Sequence, residues 1–171
     1  MGGPVDKGLG MVDMFTRGHA LVIGVGGSNF SVTIDDATII SSILRDRDRC
    51  AFPGDQVHLL LAEQATRANI TGALQDLADT TRNDDSVVIY FSGHGMSVGH
   101  GSEDLHYLIP HDFSPDDPVS TSIDDEFFTA LIREIPARRR IILLDCCFAG
   151  GMFQIQFKQV PKHMNLLYRL T

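Results

Sequence analysis

Apolar positions along the chain fall into two alternating rhythms. Short unbroken runs rich in β-branched residues predict strands buried on both faces. Longer stretches with apolar residues three and four apart predict amphipathic helices. Residues 19–25 (HALVIGV) form the first run, closed by Gly26 and Gly27. Ile39, Ile40, Ile43 and Leu44 mark one face of a helix over 35–44, with Asp35 and Asp36 in its first turn, where acids suit the helix dipole. Residues 56–61 predict a second strand. Thr66 can cap a second helix carrying Ile70, Ala73, Leu74 and Leu77. Residues 86–92 (SVVIYFS) predict a third strand, and a glycine-rich loop leads from it to a short strand or ribbon at 105–110. Asp124, Asp125 and Glu126 then lead a third helix marked by Phe127, Phe128, Leu131 and Ile132, and residues 140–145 (RIILLD) predict a fourth long strand.

Strands alternating with amphipathic helices imply α/β architecture, a mostly parallel sheet covered on both faces. The pattern places one domain at 19–151, behind a loose arm at 1–18. The tail, 152–171, mixes apolar residues with Lys158, Lys162, His163 and Arg169, and the alternation assigns it no element.

Composition narrows the function. A chain of 171 residues suits one domain and can bury on the order of 70% of its unfolded surface. A net charge of −8 argues against a nucleic-acid partner, which would need a basic face. The same charge suits a cationic substrate, and plain solubility explains it equally well. Cys50, Cys146 and Cys147 form no C-x-x-C pair, and adjacent cysteines make a poor disulfide framework. Residues 1–18 hold no apolar core of signal-peptide length and no stretch approaches a membrane span, so the expected setting is a reduced cytoplasm without a membrane partner.

The chemistry gathers at two strand ends, where open α/β sheets place their reactive groups. The third strand runs into Ser92-Gly93-His94-Gly95, and the fourth into Asp145-Cys146-Cys147-Phe148-Ala149-Gly150. Neighbouring strands would bring a histidine to face a cysteine across one edge. A thiolate is a nucleophile, and an imidazole can take the thiol proton and later return one to a leaving amine. The Gly95 and Cys147 N–H groups could hold the oxyanion of an acyl-transfer intermediate. Alone, either residue is more often a packed histidine or a buried thiol. The joint occurrence at two glycine-flanked strand ends is what points to catalysis.

YFSGHG and LLDCCFAGG resemble the two signature segments of the caspase-like peptidases, the metacaspases and orthocaspases above all. The histidine precedes the cysteine by about 50 residues, a spacing known for caspases. The resemblance implies a caspase-like αβα sandwich over roughly 19–151, limited to the large-subunit portion. It implies His94 as general base and acid and Cys147 as nucleophile, with Cys146 in a position often held by serine. It further implies that Asp145, two residues before the nucleophile, and Asp36, in the Ile34-Asp35-Asp36-Ala37 segment, line the primary specificity pocket. Two carboxylates in one pocket favour a guanidinium or ammonium group, so the expected substrate is a protein or peptide cut after Arg or Lys. For Asp36 a helix-stabilising acid is the competing reading.

Many metacaspases bind calcium, and Asp124 and Asp125 resemble part of that segment, yet two acids do not complete a site and no Asp or Glu follows Asp145. No cofactor is therefore expected to be required, with calcium left open as a ligand. A complete caspase-like enzyme continues beyond the nucleophile into a small subunit, and here the chain stops at Thr171. Either the small subunit is a separate partner chain, the chain is truncated, or it resembles the large-subunit-only metacaspase-like proteins. The alternative is a non-catalytic caspase-like module that regulates a partner.

Overall fold

The computed structural model describes residues 16–27, 31–98 and 105–147, together with the backbone of a strand at Met164–Arg169. Five parallel strands form the main sheet: β1 (Gly18–Gly24), β2 (Val57–Leu61), β3 (Ser86–Ser92), β7 (Arg139–Asp145) and β8 (Met164–Arg169), in the order β2-β1-β3-β7-β8. Helix α1 (Ser31–Arg45) covers one face, and α2 (Arg67–Thr80) and α4 (Asp125–Glu134) cover the other. A three-stranded antiparallel ribbon, β4 (His94–Val98), β5 (Leu105–Ile109) and β6 (Ile123–Asp124), adjoins the sheet, and α3 (Pro118–Thr121) is a single turn before β6. Among the described residues no helix is long and apolar enough to cross a membrane.

The unbroken apolar strands follow from burial on both faces. Ala20, Val22, Val88 and Tyr90 point toward α1, where Ala37 and Leu44 meet them. Leu21, Ile23, Val87, Ile89, Phe91, Ile142 and Leu144 point the other way, onto Ile70, Leu74, Phe128 and Ile132 of α2 and α4. Each strand therefore contributes to two cores, and period-2 alternation inside an all-apolar run decides which residue enters which. The two helices on the larger core start at side-chain caps: Thr66 Oγ1 accepts from Asn69 N at 3.2 Å, and Asp124 Oδ1 from Phe127 N at 2.8 Å.

Three features differ from the pattern-based expectation. Helix α1 begins at Ser31, so Asp35 and Asp36 fall in its second turn and the first turn holds no acid. Thr33 is the reason the helix extends back: its hydroxyl accepts from Gly26 N at 2.8 Å and ties the turn to the end of β1. The dipole reading of Asp36 loses its basis, because that stabilisation falls off beyond the first turn. The segment after Gly93 forms strand β4, drawn out of the loop by its antiparallel partner β5. In the unassigned tail, Met164–Arg169 pairs with β7 from Arg140↔Met164 to Asp145↔Arg169. The arm at 1–15, and the tail at 148–163 and 170–171, lie outside the described residues.

Two stability predictions follow from this packing. A Cβ built on Gly24 would lie 2.5 Å from the Thr33 carbonyl oxygen and 2.8 Å from the Ala37 Cβ, so α1 sits directly on the end of β1. Gly24→Val should destabilise the fold by about 1–3 kcal/mol or more in urea titration. At the opposite end of β1, burial lowers the His19 imidazole below its ordinary 6.5 and His58 adds to this, while Asp85, 3.6 Å away, and Asp55 only partly oppose it. The folded state thus favours neutral His19, and the unfolded chain takes up the proton first as pH falls. Stability should be intact above pH 6.5 and decline below it. His19→Gln should flatten that decline in thermal melts across the same range.

Candidate active site

Strands β3 and β7 are neighbours in parallel register, ending with Ser92 opposite Asp145. The chain leaves β3 through Gly93, whose N–H donates to the Asp145 carbonyl at 3.3 Å, and β4 starts at once with His94. Gly93 is required at this turn, since an added Cβ would meet Val25 Cγ2 at 2.8 Å and the Phe91 ring at 3.0 Å. Gly95 comes closer still to the other strand end. A Cβ there would fall 2.1 Å from the Cys147 carbonyl oxygen and 3.4 Å from Cys146 Sγ. The backbone that follows His94 therefore rests on the Cys147 carbonyl group, and glycine alone permits that approach. His94 and Cys147 are both exposed at this carboxyl edge.

The two adjacent cysteines differ sharply. Cys146 continues the inward alternation of Ile142 and Leu144 and is 4% exposed within the larger core. Burial pushes its thiol up to about 12, and the neighbouring Cys147 and Asp145 add to the effect. Cys146 is thus a protonated, inaccessible thiol at neutral pH, while Cys147 opens to solvent. Cys50 packs beside the smaller core with Phe52 and has no part in the edge.

The acids expected in the pocket share one side of the sheet. Asp145 is half-buried and follows the alternation of Ile141 and Leu143, which pack on the α1 side. Asp36 is half-buried on α1 itself, whose first turns are fixed to the carboxyl end of β1 through Thr33 and Gly24. Another imidazole, His111, lies at the same edge: its Nδ1 is 3.2 Å from the Val25 carbonyl oxygen, two residues beyond the Ile109 that pairs with His94. Sequence reading passed over it because only the ribbon brings it there, and no motif surrounds it.

Asp124 and Asp125 both bond to the first turn of α4. One Asp124 oxygen caps α4, and Asp125 is 2% exposed with its carboxyl raised by burial. Its Oδ1 accepts from Glu126 N and its Oδ2 has no hydrogen-bond partner. Among the described residues no group of three His, Cys, Asp or Glu gathers as a metal would need.

The chain is similar to several known proteins. The chain is 29% identical to Metacaspase-1 of Scheffersomyces stipitis, over 88% of its own length and 41% of that protein. It is 28% identical to Metacaspase-3 of Arabidopsis thaliana, over 84% of its length and 42% of that protein. The chain thus spans about two fifths of the length of these curated relatives. A crystal structure of a Geobacter sulfurreducens protein shares the fold, with a TM-score of 0.57, 20% identity, and coverage of 77% of this chain and 50% of that one. The family model described as metacaspase, peptidase C14 domain, matches residues 19–156, which include both strand ends and the residues that meet there. The chain belongs to the metacaspase family of peptidase C14 domains.

Proposed function

We propose that this chain is the nucleophile-bearing part of a cysteine endopeptidase that cuts after Arg or Lys. The observation that carries the reading is the contact of Gly95 with the Cys147 peptide, at the edge where His94 and Cys147 emerge from adjacent strands. The Cys147 thiolate attacks the scissile carbonyl, and His94 takes the thiol proton. The Gly95 and Cys147 N–H groups hold the oxyanion. His94 returns the proton to the leaving amine, a thioester remains on Cys147, and water hydrolyses it with the same imidazole as base. Thiol and imidazole supply both nucleophile and proton transfer, so no cofactor is required. Because the chain spans about two fifths of its relatives' length, a small-subunit segment or separate chain completes the cleft.

Asp36 and Asp145 supply the charge of the substrate pocket. Both lie on the α1 side of the carboxyl edge, and the first-turn role that offered Asp36 another purpose is gone. Two carboxylates attract a guanidinium fork and repel an acidic side chain.

Two measurements test the reading. Cys147→Ala should lower turnover of a short Arg peptide by ~10³-fold or more, and Cys146→Ala should keep it within about tenfold. Limited iodoacetamide treatment followed by peptide mass mapping should modify Cys147 before Cys146, since the latter stays protonated and buried. Equal loss of turnover in both variants, with folding intact, would count against the assignment. Matched peptides ending in Arg and Asp should differ in kcat/KM by ~10³-fold or more in favour of Arg. Asp145→Ala and Asp36→Ala should each erode that ratio while thermal stability stays near wild type. A wild-type preference for Asp would refute the pocket.

A further inference from the structure

The face of the β4–β5 ribbon that carries His94 is apolar and open. Register pairs His94 with Ile109, Met96 with Tyr107 and Val98 with Leu105. Alternation puts these six positions on one face and Gly95, Ser97, His106 and Leu108 on the other. The second face is the inner one: Leu108 is fully buried in the larger core and Gly95 rests on Cys147. The first face looks outward. Val98 and Leu105 are each 51% exposed, and Met96, Tyr107 and Ile109 are half-buried. One exposed apolar residue needs no explanation, but five side by side, reaching a candidate catalytic histidine, make a contact surface.

We propose that this face binds the part of a peptide substrate that follows the cleaved bond and selects apolar side chains there. The inference rests on the peptidase reading above. His94 must reach the leaving amine nitrogen, so the first residue after the cut lies at His94. The acyl half stays with Cys147 and the acids of the α1 side, and the leaving half is directed over the ribbon. A strand rises ~3.3 Å per residue, so His94 to Val98 offers ~13 Å, the reach of about four extended residues. Side chains of an extended peptide alternate, so those at the second and fourth positions after the cut turn toward the ribbon. The β4–β5 part of the face carries no Asp, Glu, Lys or Arg, and Asp124, opposite Tyr107 on β6, turns a carboxylate oxygen to the Phe127 N–H, so burial of apolar surface sets the preference. The charged pocket then reads the residue before the cut, and the apolar ribbon reads those after it.

The test uses two internally quenched peptides, identical through the cleaved Arg, with Leu or Ser at the second and fourth positions beyond it. A short Arg amide with a dye as leaving group, lacking any following residue, serves as the activity control. The Leu peptide should exceed the Ser peptide by about tenfold or more in kcat/KM, carried by KM. The double variant Val98→Ser, Leu105→Ser should remove that difference. Equal rates for the two long peptides, with the short amide cleaved, overturn the inference and leave the peptidase reading standing. If the chain by itself does not cleave the short amide, as a cleft awaiting its small-subunit part would explain, binding decides the surface. A fluorescein-labelled leaving fragment with Leu at both positions should then bind the wild-type chain about tenfold more tightly than its Ser counterpart in anisotropy titrations. Equal binding overturns the proposal. So does sedimentation showing a dimer that the double variant dissociates, which would assign the face to a second copy of the chain.

Discussion

Parallel pairing of β3 with β7 is the constraint on which the site depends. Its register ends both strands at the same height, Ser92 opposite Asp145, so the residues beyond each end meet over one edge. The bond from Gly93 N to the Asp145 carbonyl extends the pairing one step past the strand and starts β4 at His94. Gly95 then lies on the Cys147 peptide, an approach that any side chain would block. A shift of one residue between the strands would exchange the faces of every side chain on one of them. Cys147 would then turn toward the core and Cys146 toward solvent.

Burial on both faces of the sheet gives that register its strength. Each central strand sends alternate residues into a core on the α1 side and a core on the α2–α4 side, so neither face can slip without exposing apolar surface. The same alternation sets the chemistry of the adjacent thiols. Desolvation holds Cys146 in its protonated form, and Cys147, the next residue, lies beyond the end of β7 and is exposed. Packing and reactivity therefore follow from one geometric rule.

Around this edge the surfaces differ in character. The α1 side carries the half-buried acids Asp36 and Asp145, and the outer face of the ribbon carries Met96, Val98, Leu105, Tyr107 and Ile109. Two surfaces of such different chemistry meet where His94 and Cys147 emerge.

Much of this was legible in the sequence. Runs such as SVVIYFS and RIILLD, separated by amphipathic helices, determine a parallel sheet by themselves, because only strands buried on both faces tolerate such unbroken apolarity. The motifs YFSGHG and LLDCCFAGG determined the family, and through it which residues to look for. Other features needed three dimensions. The start of α1 depended on a hydroxyl of Thr33 reaching Gly26, a contact no periodicity encodes, and it removed Asp36 from the first turn. The segment after His94 has too many small and polar residues to announce a strand, and it became β4 because β5 supplied a partner. The tail gained β8 in the same way, from the open edge of β7. Local pattern records which surfaces a segment must bury. Pairing between distant segments decides where each one finds its partner, and here it decided the ribbon and its open face.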